Sequence, residues 1–339
     1  MPDIRRSIIL RRRPTGEPRR EDFQIVEEPV PEPGPGEVLT RTIWLSIDPY
    51  MRGRMSDRKS YAEPVAIGGV MTGETVGEVL ASNDPGFSPG DVVVGSRGWQ
   101  THSISRAGAL ARIERPGAPL GAYLGVLGMP GTTAYSGMKD IGQPKAGETV
   151  VVSAASGGVG SVAGQLAKRA GARVVGIAGG ADKCVWVQET LGFDDCVDHR
   201  VGNLDLALAD ACPNGIDVYF ENVGGAVQEA VFARLNPFAR VVMCGMIAQY
   251  NEAEFPPGPN LGFVVAKRVR IEGMIVSDKP ERFAEWRALA APWVADGSLR
   301  HRETIVDGLD AAPEALRQVL RGGNFGKMLV RVGREPAGA

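Results

Sequence analysis

Hydrophobic and polar positions along the chain change rhythm once, near residue 147. Before that point, short stretches rich in β-branched and aromatic residues are punctuated by proline and glycine. Residues 38–47 follow the turn cluster Pro31-Glu-Pro-Gly-Pro-Gly36, residues 72–80 make a second such stretch, and Phe87-Ser-Pro-Gly-Asp91 turns into the apolar run 92–94. Strands at this spacing predict a compact β-rich unit. After residue 147 strands alternate with helices. An apolar strand over 149–153 enters a glycine-rich turn, and then Val159, Val162, Ala163, Leu166, Ala167 and Ala170 recur at helical spacing on one apolar face. Strand patterns follow at 173–178, 216–220, 240–244 and 269–276, with a helix over 226–235. This alternation predicts an α/β protein whose second part is a doubly wound parallel sheet. A helical segment over 280–299, a helix over 311–320 and a strand over 327–332 close the chain. Periodicity alone does not say which domain that tail joins.

Length and composition narrow the classes. A chain of 339 residues suggests two domains. Apolar residues make up 43% and charged residues 23%, and 38 basic against 40 acidic side chains leave a net charge of −2. Wholesale disorder and nucleic-acid binding driven by bulk charge do not fit these values. Glycine, at 45 residues, is about twice its usual share of roughly 7%, which points to tight turns or close backbone approach to a ligand. The four cysteines, Cys184, Cys196, Cys212 and Cys244, form no C-x-x-C pair, so the expected compartment is the reducing cytoplasm. The most membrane-like stretch, residues 121–138, is interrupted by glycines and Pro130, against a spanning helix and a membrane partner. Seven arginines fall in the first 20 residues, but no apolar signal core follows and Asp3, Glu17, Glu21 and Asp22 dilute the run. A solvated surface accounts for it.

The strongest motif is Ser153-Ala-Ala-Ser-Gly-Gly-Val-Gly-Ser-Val-Ala163. It contains Gly158-x-Gly160-x-x-Ala163 and equally reads Ala154-x-x-Gly157-x-x-Gly160. Between a strand and an amphipathic helix such a string predicts dinucleotide binding, because a pyrophosphate must approach the backbone at amides of a helix N-terminus. An NAD-type site would place an acid about 20 residues on, at the tip of the second strand. Counting from Gly160 reaches Gly180, in Ala178-Gly-Gly-Ala-Asp-Lys183. No acid stands at the tip. Asp182 reads as a helix N-cap, Lys183 is placed to meet a 2′-phosphate, and Arg200 adds positive field. NADP is therefore expected over NAD.

The three histidines, His102, His199 and His301, form no H-x-x-x-H pattern, and no set of three or four metal ligands is readable, so no metal is expected. No G-x-S-x-G elbow is present. A reacting carbonyl would then be polarised by hydrogen-bond donors, for which the six tyrosines are candidates.

Several long strings carry a resemblance along almost the whole chain. They are Leu45-Ser-Ile-Asp-Pro-Tyr-Met-Arg52, Gly128-Met-Pro-Gly-Thr-Thr-Ala134, Lys145-Ala-Gly-Glu-Thr-Val-Val-Val-Ser153, Asp217-Val-Tyr-Phe-Glu-Asn-Val-Gly-Gly225, Cys244-Gly-Met-Ile-Ala-Gln-Tyr-Asn251 and Gly322-Gly-Asn-Phe-Gly-Lys327. The sequence resembles the zinc-free medium-chain dehydrogenases/reductases, in the prostaglandin reductase and plant alkenal double-bond reductase subgroup. The resemblance implies a GroES-like β domain (1–126 with 300–339) around a Rossmann domain (127–299). It implies NADPH-dependent reduction of the C=C bond of α,β-unsaturated ketones or aldehydes, and a homodimer. By the same carry-over, Gly157, Gly158, Val159 and Gly160 cradle the pyrophosphate and Lys183 pairs with the 2′-phosphate. Asn222, the stretch with Cys244, Gly245, Met246, Ile247 and Tyr250, the stretch Met274, Ile275 and Val276, and Asn324 are further cofactor contacts. Tyr250 stands near the reacting enone as the catalytic residue, and Tyr50 and Tyr61 are substrate-binding. The sequence departs from the subgroup where a tyrosine commonly contacts the 2′-phosphate, for Asp198-His199-Arg200 puts His199 there. Imidazole still donates to phosphate, so the expectation becomes pH-dependent NADP affinity. Quinone reduction at the same NADPH site and a non-catalytic NADPH-binding or sensing protein are the alternatives.

Overall fold

The computed structural model describes residues 3–113, 117–254 and 256–336. The chain divides into two compact units, Met1–Gly125 with Glu303–Ala339, and Val126–Arg302.

In the first unit one seven-stranded sheet runs in the order Glu303–Asp307, Lys327–Arg331, Glu37–Ile47, Glu74–Ser82, Val92–Ser96 and Ala111–Arg112, with His102–Arg106 also paired to Glu37–Ile47. The tail is built into this sheet: Lys327–Arg331 lies antiparallel to Glu37–Ile47, with Met328 opposite Ile47. Val38, Val79 and Val93 pack beneath it. An antiparallel hairpin, Ile4–Leu10 with Phe23–Pro29, forms a separate two-stranded sheet and was not among the expected strands. Its arginines are paired with acids. Arg5 pairs with Glu28, Arg6 lies 3.1 Å from both Glu27 and Asp310, and Arg12 lies 2.6 Å from Asp22.

The second unit is built on a six-stranded parallel sheet in the order Asp195–Asp198, Arg173–Ala178, Thr149–Ser153, Ile216–Glu221, Leu235–Met243 and Arg270–Gly273. The order runs outward in opposite directions from the neighbouring strands Thr149–Ser153 and Ile216–Glu221, where Val151 and Tyr219 face each other in register. That reversal is the switch point at whose carboxyl end open α/β sheets bind ligands. Burial explains why both central strands read as continuous apolar runs: all five residues of Thr149–Ser153 are buried, as parallel strands covered on both faces require. Val151, Val175, Ile177, Leu208, Ile216, Tyr219, Val231 and Val241 belong to one core cluster.

Three expected elements are corrected. The helix expected over 226–235 is Gly225–Ala233, and Leu235 opens a strand that reaches Met243, longer than the expected 240–244. Asn236-Pro-Phe238 hid it, because Phe238 takes a φ of +65° and the register with Ile216–Glu221 shifts there. The strand expected over 269–276 is only Arg270–Gly273. Among the described residues, no helix is long and apolar enough to cross a membrane.

The helix after the glycine turn, Gly160–Arg169, is held close to the sheet by Gly164. A Cβ there would stand 1.8 Å from the ring of Phe193. Gly164→Ala should therefore lower the midpoint of thermal unfolding. Overpacking costs about 1–3 kcal/mol, against a helix-propensity gain of at most about 1 kcal/mol. A raised midpoint in a melting comparison with wild type would show that Phe193 moves aside without cost.

Candidate cofactor and active site

At the end of strand Thr149–Ser153 the chain turns through Ala154, a non-glycine residue at φ +49°. That left-handed backbone costs of order 1–3 kcal/mol and tends to persist where the surroundings over-determine it. Here they do. Ala155 donates to the Ile177 carbonyl (3.0 Å) and Gly157 to that of Ala154 (2.9 Å). Gly160 sits so close that a Cβ would lie 2.4 Å from the Ala154 carbonyl oxygen, which explains the glycine at this position. Helix Gly160–Arg169 then starts without a side-chain cap. A tight turn entering a helix N-terminus suits an anionic oxygen, so Gly157, Gly158, Val159 and Gly160 fit a pyrophosphate.

A second group gathers at the tip of strand Arg173–Ala178. Over Gly179, a Cβ would meet Arg200 Nε at 2.7 Å and His199 Nε2 at 2.8 Å. Lys183 lies on the following helix, Ala181–Glu189, and its ammonium is held below the ordinary lysine value by partial burial and then by the Arg200 charge. Partial desolvation first, and Arg200 second, hold His199 below the ordinary imidazole value, with Lys183 a smaller contributor and Asp198 opposing them. Asp198 is spent on backbone: its Oδ1 accepts from the amides of Gly180 (2.9 Å) and Arg200 (3.0 Å), bonds that hold its carboxyl below the usual range. Three side chains that oppose one another's charge, around two glycines, fit a phosphate dianion.

A pH dependence is expected of this group through His199. A bound phosphate favours the imidazolium, so NADPH binding should take up a proton and its Kd should rise between pH 6 and 8. The change is bounded at about tenfold per unit of induced pKa shift. The same titration of His199→Gln should lose that slope and keep only the titration of the phosphate itself. A wild-type profile that coincides with that of His199→Gln rules the coupling out.

The third group lies at the ends of strands Ile216–Glu221 and Leu235–Met243. Asn222 is anchored to the glycine turn: its amide donates to Ser153 Oγ and its Nδ2 to the Ser153 carbonyl, both at 2.8 Å. Ile247 donates to the Asn222 carbonyl (3.2 Å) and Ala248 to that of Val223 (2.9 Å). These bonds hold the short turn Ile247–Gln249 just before Tyr250. The Met246 amide donates to the Tyr250 hydroxyl oxygen at 3.3 Å. Gly245 leaves room for that hydroxyl, since a Cβ there would lie 3.2 Å away. Burial, with Glu221 beside it, pushes the Cys244 thiol up to about 12, so it stays protonated. Met274 donates to the Met243 carbonyl (3.2 Å), which aligns Met274, Ile275 and Val276 with the same strand end.

The first unit holds the remaining candidates. Tyr50 opens the short helix Tyr50–Arg54, and its phenol is raised by burial and then by the nearby carboxylates Asp48 and Glu74. The Arg54 guanidinium stands 5.6 Å from the Tyr50 ring and 4.5 Å from the Tyr61 ring, which brings the two tyrosines together. Asn324 precedes strand Lys327–Arg331 and donates to the Gly326 carbonyl at 2.6 Å. Three residues near these sites were missed by sequence reasoning. Ser153 and Glu221 tie the second unit's strand ends. Lys327, buried, donates to the Ile47 (2.6 Å) and Met328 (2.9 Å) carbonyls and lies 3.2 Å from Asp48. The available signal was a charged residue ending an apolar run, as in Ile216–Glu221. Among the described residues, no three His, Cys, Asp or Glu side chains stand where they could hold a metal ion.

Comparison with known proteins adds to this geometry. Residues 6–113 match the family described as the N-terminal domain of oxidoreductase, and residues 158–296 the family described as zinc-binding dehydrogenase. The chain is 49% identical to the NADPH-dependent curcumin reductase of Escherichia coli over 96% of each chain. It is 40% identical to the NADP(+)-dependent 2-alkenal reductase of Nicotiana tabacum, over 97% of this chain and 98% of that one. The structure of CurA from Vibrio vulnificus in complex with NADPH is 46% identical and superposes with a TM-score of 0.93, over 97% of this chain and 100% of that one.

Proposed function

The chain belongs to the zinc-free reductase branch of the medium-chain dehydrogenases/reductases, and from that membership we propose that it uses NADPH to reduce the C=C bond of α,β-unsaturated ketones and aldehydes. The observation that carries the choice of cofactor is the meeting of His199 and Arg200 over Gly179, with Lys183 on the helix that follows. Bound there, NADPH would supply the hydride that the β-carbon of the enone receives. The turn Gly157–Gly160 would hold the pyrophosphate, and Lys183, Arg200 and the His199 imidazole would hold the 2′-phosphate. As the β-carbon gains the hydride, negative charge develops on the substrate's carbonyl oxygen as an enolate. The Tyr250 hydroxyl, whose oxygen accepts from the Met246 amide, donates a hydrogen bond to that oxygen, and a proton taken up from water at the α-carbon completes the saturated carbonyl. A preorganised donor aimed at developing charge is a large contributor to catalysis of this type. Tyr50 and Tyr61, gathered about Arg54, are the substrate-binding candidates of the first unit.

The test follows NADPH absorbance with purified protein and a panel of enals, enones and one quinone, with NADH controls. Rapid oxidation giving the saturated carbonyl, with strong preference for NADPH, is the expected result. NADPH binding with no oxidation across the panel would move the reading to a sensing role. Oxidation by the quinone alone would make the protein a quinone reductase.

A further inference from the structure

We propose that Glu221 is a positioning residue for Tyr250: one of its carboxylate oxygens shapes the loop after strand Ile216–Glu221, and that loop holds the turn that presents the tyrosine. The proposal rests on the role given to Tyr250 above. The strand ahead of Glu221 ends in Val218, Tyr219 and Phe220, all fully buried, and Glu221 is itself 0% exposed. A buried carboxylate is costly unless its hydrogen bonds are made. For stability alone, a well-packed apolar side chain often serves as well.

Glu221 spends its charge on a single point. Oε1 accepts from the amide of Val223 (2.7 Å), the amide of Gly224 (3.1 Å) and Ser153 Oγ (3.0 Å). Ser153 Oγ in turn accepts from the Asn222 amide (2.8 Å). One oxygen thus folds residues 222–224 back over the strand end and ties them to the start of the glycine turn. The Glu221 carbonyl accepts from Cys244 (3.0 Å) and Gly245 (3.1 Å), which brings in the next strand end. The carbonyls of Asn222 and Val223, once placed, accept from Ile247 and Ala248. Those two bonds set the turn between Met246 and Tyr250. Glu221 therefore reaches the tyrosine through two layers of backbone hydrogen bonds, without touching it.

The arrangement predicts which substitutions matter. Glu221→Gln can place its amide oxygen where Oε1 stands and keep all three donors. Glu221→Met keeps the length and removes the acceptor. Hydrogen exchange on the protein without cofactor reads the device directly. Glu221→Met should speed exchange of the amides at 223–224 and at 247–250 together, by about tenfold or more, with the other strands of the six-stranded sheet unchanged. Glu221→Gln should stay within about threefold of wild type. In steady state with saturating NADPH, Glu221→Met should lower kcat for an enone about 10–100-fold, the scale of a small misplacement, with little change in KM. The same substitution made in Tyr250→Phe should cost less than about threefold, because the group it positions is already gone.

Loss of protection confined to 223–224, or an equal kcat loss with and without the Tyr250 hydroxyl, overturns the proposal. If Glu221→Met does not fold, Glu221→Asp, which withdraws the acceptor by one methylene, is read in the same way. Failure of the functional reading looks different. A wild type that turns over no enone, or a Tyr250→Phe protein as fast as wild type, removes the role of Tyr250, and the exchange experiment still decides whether Glu221 sets the turn.

Discussion

Tyr250→Phe is expected to lower kcat for a simple enone by about 10²–10³-fold, the usual consequence of deleting one donor to a developing oxyanion. The substitution is a clean one. The ring is retained, Gly245 presents no side chain to the hydroxyl, and inside the loop the 3.3 Å contact from the Met246 amide is lost. A neutral bond of that kind contributes about 1 kcal/mol, so the melting temperature should fall by a few degrees at most. NADPH affinity should be unchanged, since the glycine turn and the cationic cluster are untouched. The measurement belongs where a deuterium isotope effect on kcat shows that chemistry limits turnover. There, wild-type turnover by Tyr250→Phe would assign the oxyanion to another donor.

The second large effect is on cofactor choice. Lys183→Met should weaken NADPH binding by about 10–100-fold, the loss expected for one hydrogen bond to a charged group, and should leave NADH binding nearly unaltered. Methionine keeps the apolar stem of the helix residue, so the change reports on charge. Lys183 is held below the ordinary lysine value by partial burial and by Arg200. A dianion between the two cations turns that repulsion into attraction, and removing one cation forfeits it. Fluorescence titrations with NADPH and NADH separate the two cases. Equal weakening of both cofactors would mean that the substitution disturbs helix Ala181–Glu189 as a whole and that the 2′-phosphate is held elsewhere.

Much of the fold was readable where local chemistry is strong. Strands Thr149–Ser153 and Arg173–Ala178 coincide with the apolar runs that predicted them, because a parallel strand buried on both faces carries little but apolar residues. The hairpin Ile4–Leu10 with Phe23–Pro29 was obscured for the opposite reason. Its first strand buries Ser7 beside Ile8, with the Ser7 hydroxyl donating to Gln100 at 3.3 Å, and its arginines answer acids distant in the chain, Glu27 and Glu28 among them. No alternation survives in such a strand. The site divides similarly. Gly157 and Gly160 announced themselves because a turn this tight leaves no room for side chains. Glu221 did not, because an acid at the end of an apolar run reads as a surface residue until its three donors are known.

The sequence by itself therefore determined what depends on neighbours along the chain: the strand–glycine turn–helix unit, the missing acid at the tip of the second strand, the lysine in its place, and the strings that mark the family. The tertiary structure decided what depends on residues far apart. It set the strand order that puts Thr149–Ser153 beside Ile216–Glu221, brought His199 and Arg200 over Gly179, and joined Ser153 to Glu221 across 68 residues. Local signals arise from backbone sterics and the short periods of helix and strand, which any segment carries with it. Long-range pairings are selected only when the whole chain buries its apolar faces together, and the polar groups drawn inside must then find partners wherever the packing has left them.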